Sequence, residues 1–327
     1  MVELLPDRKG GFIRMENLLF CLNATVPIFL TMMLGCLFKK IGWIDELFTK
    51  RLNKFVFQVA LPALLFEDLT VDLAEVWDMG YVAYCFAATF LGIGICYLIS
   101  LLLKDKSIQG EFVQASYRSS AALMGIAIIQ NIYGNAGMAP LMIIGTVPLY
   151  NVMAVVILSI LKPERGKVDK ALLLKTGKGI VTNPIILGIL AGMIWSGLRL
   201  PMPKILDKTV SNVGVLATPL GLMALGASFD LKQAAGKIKP AIVATFIKLI
   251  GLAAIFLPIG VMLGYTHEHL IALIVMLGSA STVSCFVMAK NMGHDGTLTS
   301  SVVVLTTLFS ALTMTGWLFI FRTMGLV

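Results

Sequence analysis

Ten continuous apolar runs, most of them close to the twenty or so residues that span a bilayer as a helix, occupy most of this chain. They fall at residues 18–38, 47–67, 79–103, 112–133, 138–161, 178–198, 207–228, 239–264, 270–290 and 297–321. The runs are unbroken rather than alternating, which predicts helices and excludes the roughly ten-residue polar–apolar pattern of a membrane barrel. Three segments depart from the apolar rule. Segment two carries Arg51, Asn53, Lys54 and Gln58 in its first half. Segments four and nine place hydroxyl residues and glycine in mid-run, as Tyr117-Arg-Ser-Ser-Ala-Ala-Leu-Met-Gly125 and Gly278-Ser-Ala-Ser-Thr-Val-Ser284.

Composition makes lipid the solvent. Of 327 residues, 58% are hydrophobic and 13% charged, with a mean hydropathy of +0.90. A water-soluble domain carries about 25% charged residues and needs them to cover its surface. The expectation is an all-α polytopic protein integral to the plasma membrane, in a bacterium the inner membrane. No cleavable signal peptide is visible, and Met15 reads as an alternative start, so residues 1–14 are given no structural role. The five cysteines are odd in number and lie inside apolar runs, so neither a disulfide framework nor a metal cluster is expected.

Lysine and arginine in the connections set orientation. The loops after odd-numbered segments hold 17 of the 26 basic residues, whereas the N-terminus, the even loops and the C-terminus hold 7. Odd loops are therefore expected in the cytoplasm and both termini outside. The net charge of +8 is then a topology signal, and no nucleic acid is needed to explain it. The remaining two, Arg118 and Lys248, lie inside segments.

The loop at 162–177 divides the chain after a 1–17 tail into five-helix halves at 18–161 and 178–322. An offset of 157 carries Pro27-Ile28 onto Pro184-Ile185, Gly35 onto Gly192, and Ala60 and Pro62 onto Ala217 and Pro219. At an offset of 159, Gly134-Asn-Ala-Gly137 meets Gly293-His-Asp-Gly296. Five is odd, so the second copy enters the membrane from the opposite side. Inverted repeats of this kind are the common plan of secondary transporters.

Segments four and nine hold equivalent places in the halves. Helices opened there would expose N–H and C=O groups at mid-membrane, tolerable beside a cavity, and their N-terminal ends would attract an anion. Close helix packing through Ser, Ala and Gly is the other reading. Arg118 and Lys248 are costly at membrane depth unless partnered, and no carboxylate lies at similar depth. Both are candidates for an anionic ligand, with snorkelling or carbonyl binding as the structural alternative. Ser119, Ser120, Gly125, Asn131, Tyr150, Asn151, Ser281, Thr282 and Ser284 complete the expected substrate-binding set. Asn183-Pro184 and Pro219 predict kinks, and His267, His269 and His294 read as solvated loop residues. No nucleotide loop, metal-ligand spacing or nucleophile elbow is present, so no cofactor, metal or catalytic residue is expected, and neither is an enzyme or an ATP-driven pump.

The stretch Leu52-Asn-Lys-Phe-Val-Phe-Gln-Val-Ala-Leu-Pro-Ala-Leu-Leu-Phe66 resembles the second-helix motif of the auxin efflux carrier family. Leu123-Met-Gly-Ile-Ala127, Leu225-Gly-Ala-Ser228 and Phe286-Val-Met-Ala-Lys290 extend the likeness over most of residues 18–322. The resemblance implies ten helices in two inverted five-helix repeats, with helices four and nine broken and crossing at the substrate site. It implies transport of organic anions, auxin in plant members and malonate- or malate-like dicarboxylates in bacterial ones. Tyr150 matches a family tyrosine, and Lys248 falls where members carry a basic residue. Family prolines at the two crossovers correspond to Ala127 and Cys285 here, and a family asparagine to Ser120. The helix breaks are accordingly expected at Gly125, Ala127 and Cys285. The expected partners are the small organic anion and membrane lipid. A proton or sodium as coupling ion and a homodimer are compatible with the sequence. A membrane sensor or scaffold without transport is the alternative, and a channel a third.

Overall fold

The structure, a computed structural model, describes residues 27, 30–70, 78–121, 138–162, 178, 182–228 and 235–327. All regular structure among them is helical: α1 (30–40), α2 (46–69), α3 (Met79–Ser100), α4 (Gln109–Tyr117), α5 (Ala139–Ile160), α6 (Pro184–Gly197), α7 (Lys204–Ser228), α8 (Ile238–Met262), α9 (His267–Gly278), α10 (Val283–Asn291) and α11 (Thr297–Thr323). Four of them, α3, α5, α7 and α8, are each long and apolar enough to cross a bilayer. The number rises to six if α9 with α10, and the two parts of α11, are each one bent span.

Proline shapes α2 and α7 in the same way. Its ring clashes with the carbonyl four residues earlier, and it has no N–H to offer that carbonyl. In α2 the chain relaxes into a π-turn over Val56–Ala60, just before Pro62, with the Leu61 amide bonded to Val56 O. In α7 a turn at 215–216 separates two helical parts ahead of Pro219. The two irregularities coincide under the 157-residue offset. Asn183-Pro184 does not kink a helix as expected; it starts α6. Asn183 Oδ1 accepts from the Ile185 amide at 2.9 Å, and Pro184 sits in the first turn, where a missing N–H costs nothing.

Lipid tails are as apolar as leucine, so membrane helices associate by close backbone approach rather than by hydrophobic burial. Here α1 lies against α7: a Cβ on Gly35 would strike the Met223 backbone, and one on Gly226 the Met32 backbone. Helix α6 lies against α2 in the same manner, Gly192 on Phe66 and Gly188 on Pro62. The offset of 157 carries Gly35 and Phe66 onto Gly192 and Met223, so these two contacts are one contact made twice. The other helices pack among themselves: α3 on α5 and α4, and α8 on α9 and α11. Helix α10 touches both groups, meeting Gly221 of α7 through Val283 and also packing on α4 and α11. Leu, Ile, Phe and Met side chains point outward from α1, α3, α6 and α8, as a lipid-facing surface requires.

The start of α4 is locked to α11. Buried Glu111 accepts from the amides of Gly296 and Thr299 and from the Thr299 hydroxyl, each at 2.9 Å. A carboxylate there satisfies orphan donors and meets the positive end of the α11 dipole. His294, expected in solvent, is buried instead. Its Nε2 lies 2.9 Å from Leu158 O, because the turn between α10 and α11 folds onto the end of α5.

Candidate functional site

Two helices stop in the interior and cross. Helix α4 ends at Tyr117, and Arg118 turns to extended geometry (φ −71°, ψ 137°). Helix α9 ends at Gly278; Ser279 (φ −75°, ψ 165°) and Thr282 (φ −77°, ψ 146°) are extended, and α10 departs at 40° to α9. The extended segments that follow α4 and α9 meet where the Ser120 amide donates to Ala280 O at 3.0 Å.

Breaking a helix inside a membrane leaves orphan amides and carbonyls that side chains must satisfy. Hydroxyls do so here. Thr282 caps α10 by accepting from the Ser284 amide, and the Ser281 amide donates to Thr306 Oγ1 at 3.0 Å. The last carbonyls of α9 are capped from three elements. Met276 O accepts from the Ser119 hydroxyl and from the Tyr150 hydroxyl at 3.2 Å, and Leu277 O accepts from Lys248 Nζ at 2.6 Å. Lys248 reaches it from a π-turn over Ile247–Gly251 in α8, a wider turn of a kind that recurs at functional sites. A cation at a helix C-terminus also suits the dipole.

Cys285 is not a break point. It lies within α10, its amide donating to Thr282 O at 3.0 Å, and the chain opens at 279–282 where the hydroxyl side chains are. Gly125, Ala127 and Asn131 lie outside the described residues. Helix α4 ends at Tyr117, eight residues before Gly125.

Arg118 is the centre of the site and is 2% exposed. One amino group donates to Asn151 Oδ1 at 2.6 Å and to Ser284 Oγ at 2.7 Å; the other lies on Met288 Sδ, a weak acceptor. Asn151 is oriented for this by its own Nδ2, which donates to Val147 O at 2.9 Å. No carboxylate pairs with Arg118 among the described residues, and its Nε is buried without a hydrogen-bond partner there. The α4 C-terminal dipole offsets part of the charge, but Ser284 puts the guanidinium against the positive end of α10. The result is a desolvated, fixed positive charge facing neutral acceptors.

The structure thus brings Arg118, Asn151 and Ser284 into direct contact. Ser119, Tyr150 and Lys248 stand beside them but spend their donors on α9 carbonyls. Ser120, Ser281 and Thr282 lie in the extended segments that follow α4 and α9. Gln114 was missed by sequence reading: it is buried on α4, and its Nε2 donates to Cys285 O at 2.9 Å. The available signal was its position four residues before Arg118, which puts both on one helix face.

An uncharacterized transporter of Methanocaldococcus jannaschii is 21% identical over 305 residues, covering 90% of this chain and 97% of that protein. A protein of Rhizobium meliloti, provisionally named a malonate transporter, is 24% identical over 296 residues, covering 83% of this chain and 86% of its own. The family described as membrane transport protein matches residues 20–318. Spanning nearly every helix, that match makes the chain an integral, multi-pass member of the membrane transport protein family, the auxin efflux carrier and permease group that its motifs resemble.

Proposed function

We propose that this protein is a secondary carrier that moves a small organic anion, a carboxylate or dicarboxylate, by alternating access. The observation that carries the proposal is Arg118, a buried guanidinium without an acidic partner among the described residues, set where two broken helices cross. A permanent internal carboxylate would neutralise such a group; a transported one does so only while bound. Arg118, Asn151 and Ser284 would contact the anion, with Ser120, Ser281 and Thr282 beside it. Ser119, Tyr150 and Lys248 would hold the break open. The relative provisionally named for malonate fits this chemistry at low identity.

The same reading takes the chain as ten spans in two inverted repeats, 18–161 and 178–322, with the basic odd loops, 162–177 among them, in the cytoplasm and both termini outside. Support comes from the paired contacts of α1 with α7 and α6 with α2, and from the matched irregularities before Pro62 and Pro219.

Uptake of labelled malonate and other small carboxylates into proteoliposomes, under separately imposed pH, sodium and substrate gradients, tests the function. Saturable uptake that Arg118→Gln abolishes is expected. No carboxylate uptake by folded wild-type protein under any gradient would overturn the proposal.

A further inference from the structure

Beside Arg118 the site keeps a second unmet group of opposite character. Gln114 is 0% exposed, and its Nε2 is committed to Cys285 O, a carbonyl that can only accept. That bond fixes the amide orientation and leaves Oε1 as a bare acceptor, buried and without a partner among the described residues. The Arg118 amide still donates to Gln114 O at 3.2 Å, so the two residues keep helical i, i+4 spacing and their side chains are neighbours. An unfilled donor, Arg118 Nε, and an unfilled acceptor, Gln114 Oε1, therefore belong to residues one helical turn apart, both of which bond to the start of α10. The hydroxyl of Ser279, also buried and unpaired among the described residues, lies in the strand that follows α9.

An anionic oxygen satisfies Arg118 and is repelled by Gln114 Oε1. A ligand that fills both must carry a hydrogen-bond donor close to its carboxylate. We infer that Gln114 is a specificity-determining residue, and that the carrier prefers acids bearing a hydroxyl on the carbon next to the carboxylate over their unsubstituted counterparts. The inference rests on the carboxylate-transport reading above. A buried acceptor left unfilled is what makes a polar site reject the analogue lacking its donor.

The test compares unlabelled hydroxymalonate and malonate as competitors of labelled malonate uptake in proteoliposomes. Hydroxymalonate should half-inhibit at a concentration at least about tenfold lower. In Gln114→Met, which keeps the length of the side chain and removes the acceptor, the two acids should compete within about threefold of each other. Equal competition in wild-type protein overturns the inference, as does a preference that survives Gln114→Met. If that variant does not fold, the wild-type ratio alone decides. Absence of carboxylate uptake altogether would sink the underlying transport reading, and it is distinguishable because there is then no uptake to inhibit.

Discussion

Buried Arg118 and Lys248 do different work on the two sides of the break between α9 and α10. Arg118 presents a planar fork to neutral oxygens and keeps Nε free, whereas Lys248 ends on a main-chain carbonyl of α9. Their substitutions should separate. Arg118→Lys keeps the charge but loses the fork, and is expected to raise the half-saturating carboxylate concentration about tenfold, close to 1.4 kcal/mol. Lys248→Met leaves Leu277 O without its cap, which costs about 1–3 kcal/mol. It should lower the melting temperature in detergent while changing half-saturation less than about threefold. A Lys248→Met protein with weakened substrate affinity and unchanged melting would move the amine to the ligand. At this scale the sequence was informative about Arg118, because a deep cation with no acid at its depth points to an anion by charge alone. It was silent on how Ser119, Tyr150 and Lys248 divide their donors. That depends on which carbonyl of the other half lies opposite, a relation across more than a hundred residues for Ser119 and Tyr150. Gln114 escaped notice for the same reason: one amide in an apolar run acquires meaning only when Cys285 O takes its Nε2.

For the broken helices, segment choice and break position have different causes. Midway hydroxyls and glycine drew attention to segments four and nine, and α4 and α9 end inside those runs, at Tyr117 and Gly278. The break expected at Cys285 from a replaced proline did not follow, and Ala127 lies outside the described residues. Capping decided the second break: Thr282, Ser281 and the partners Thr306, Ser119 and Tyr150 make it least costly to leave the helix at 279–282. The same capping bears on ion coupling. In many carriers the carbonyls at such a half-helix end coordinate sodium. Here Met276 O and Leu277 O already accept from a serine, a tyrosine and a lysine. An ion would have to displace the lysine amine and both hydroxyls that cap these carbonyls. Carboxylate uptake is therefore expected to be unchanged when sodium is replaced by potassium on both sides of the vesicle. A rate that climbs and saturates with sodium would mean that the ion displaces these side chains.

For the whole molecule, sequence matches that are faint alone gain weight from two equivalent helix contacts. Isolated matches such as Gly35 with Gly192 say little in a chain with 30 glycines. Their meaning comes from contact: each admits the backbone of a residue, Met223 or Phe66, that the same offset exchanges. Two such helix pairs, α1 with α7 and α6 with α2, are what a pseudo-twofold axis between halves produces. If each half has five spans, that axis lies in the membrane plane, and equivalent turns must emerge on opposite sides. The turn after α3 carries exposed Lys104, and the turn after α8 carries Thr266, which makes no side-chain cap bond to α9. Lys104→Cys and Thr266→Cys are therefore expected to behave oppositely toward an impermeant thiol reagent on intact cells, with the unsubstituted chain as the blank. Thr266→Cys should be modified and Lys104→Cys spared until the cells are permeabilised, because lysine-rich turns favour the cytoplasmic face. Modification of both on intact cells would place equivalent turns on one side and make the repeat parallel rather than inverted. Modification of Lys104→Cys alone would keep the inversion and reverse the charge-based orientation.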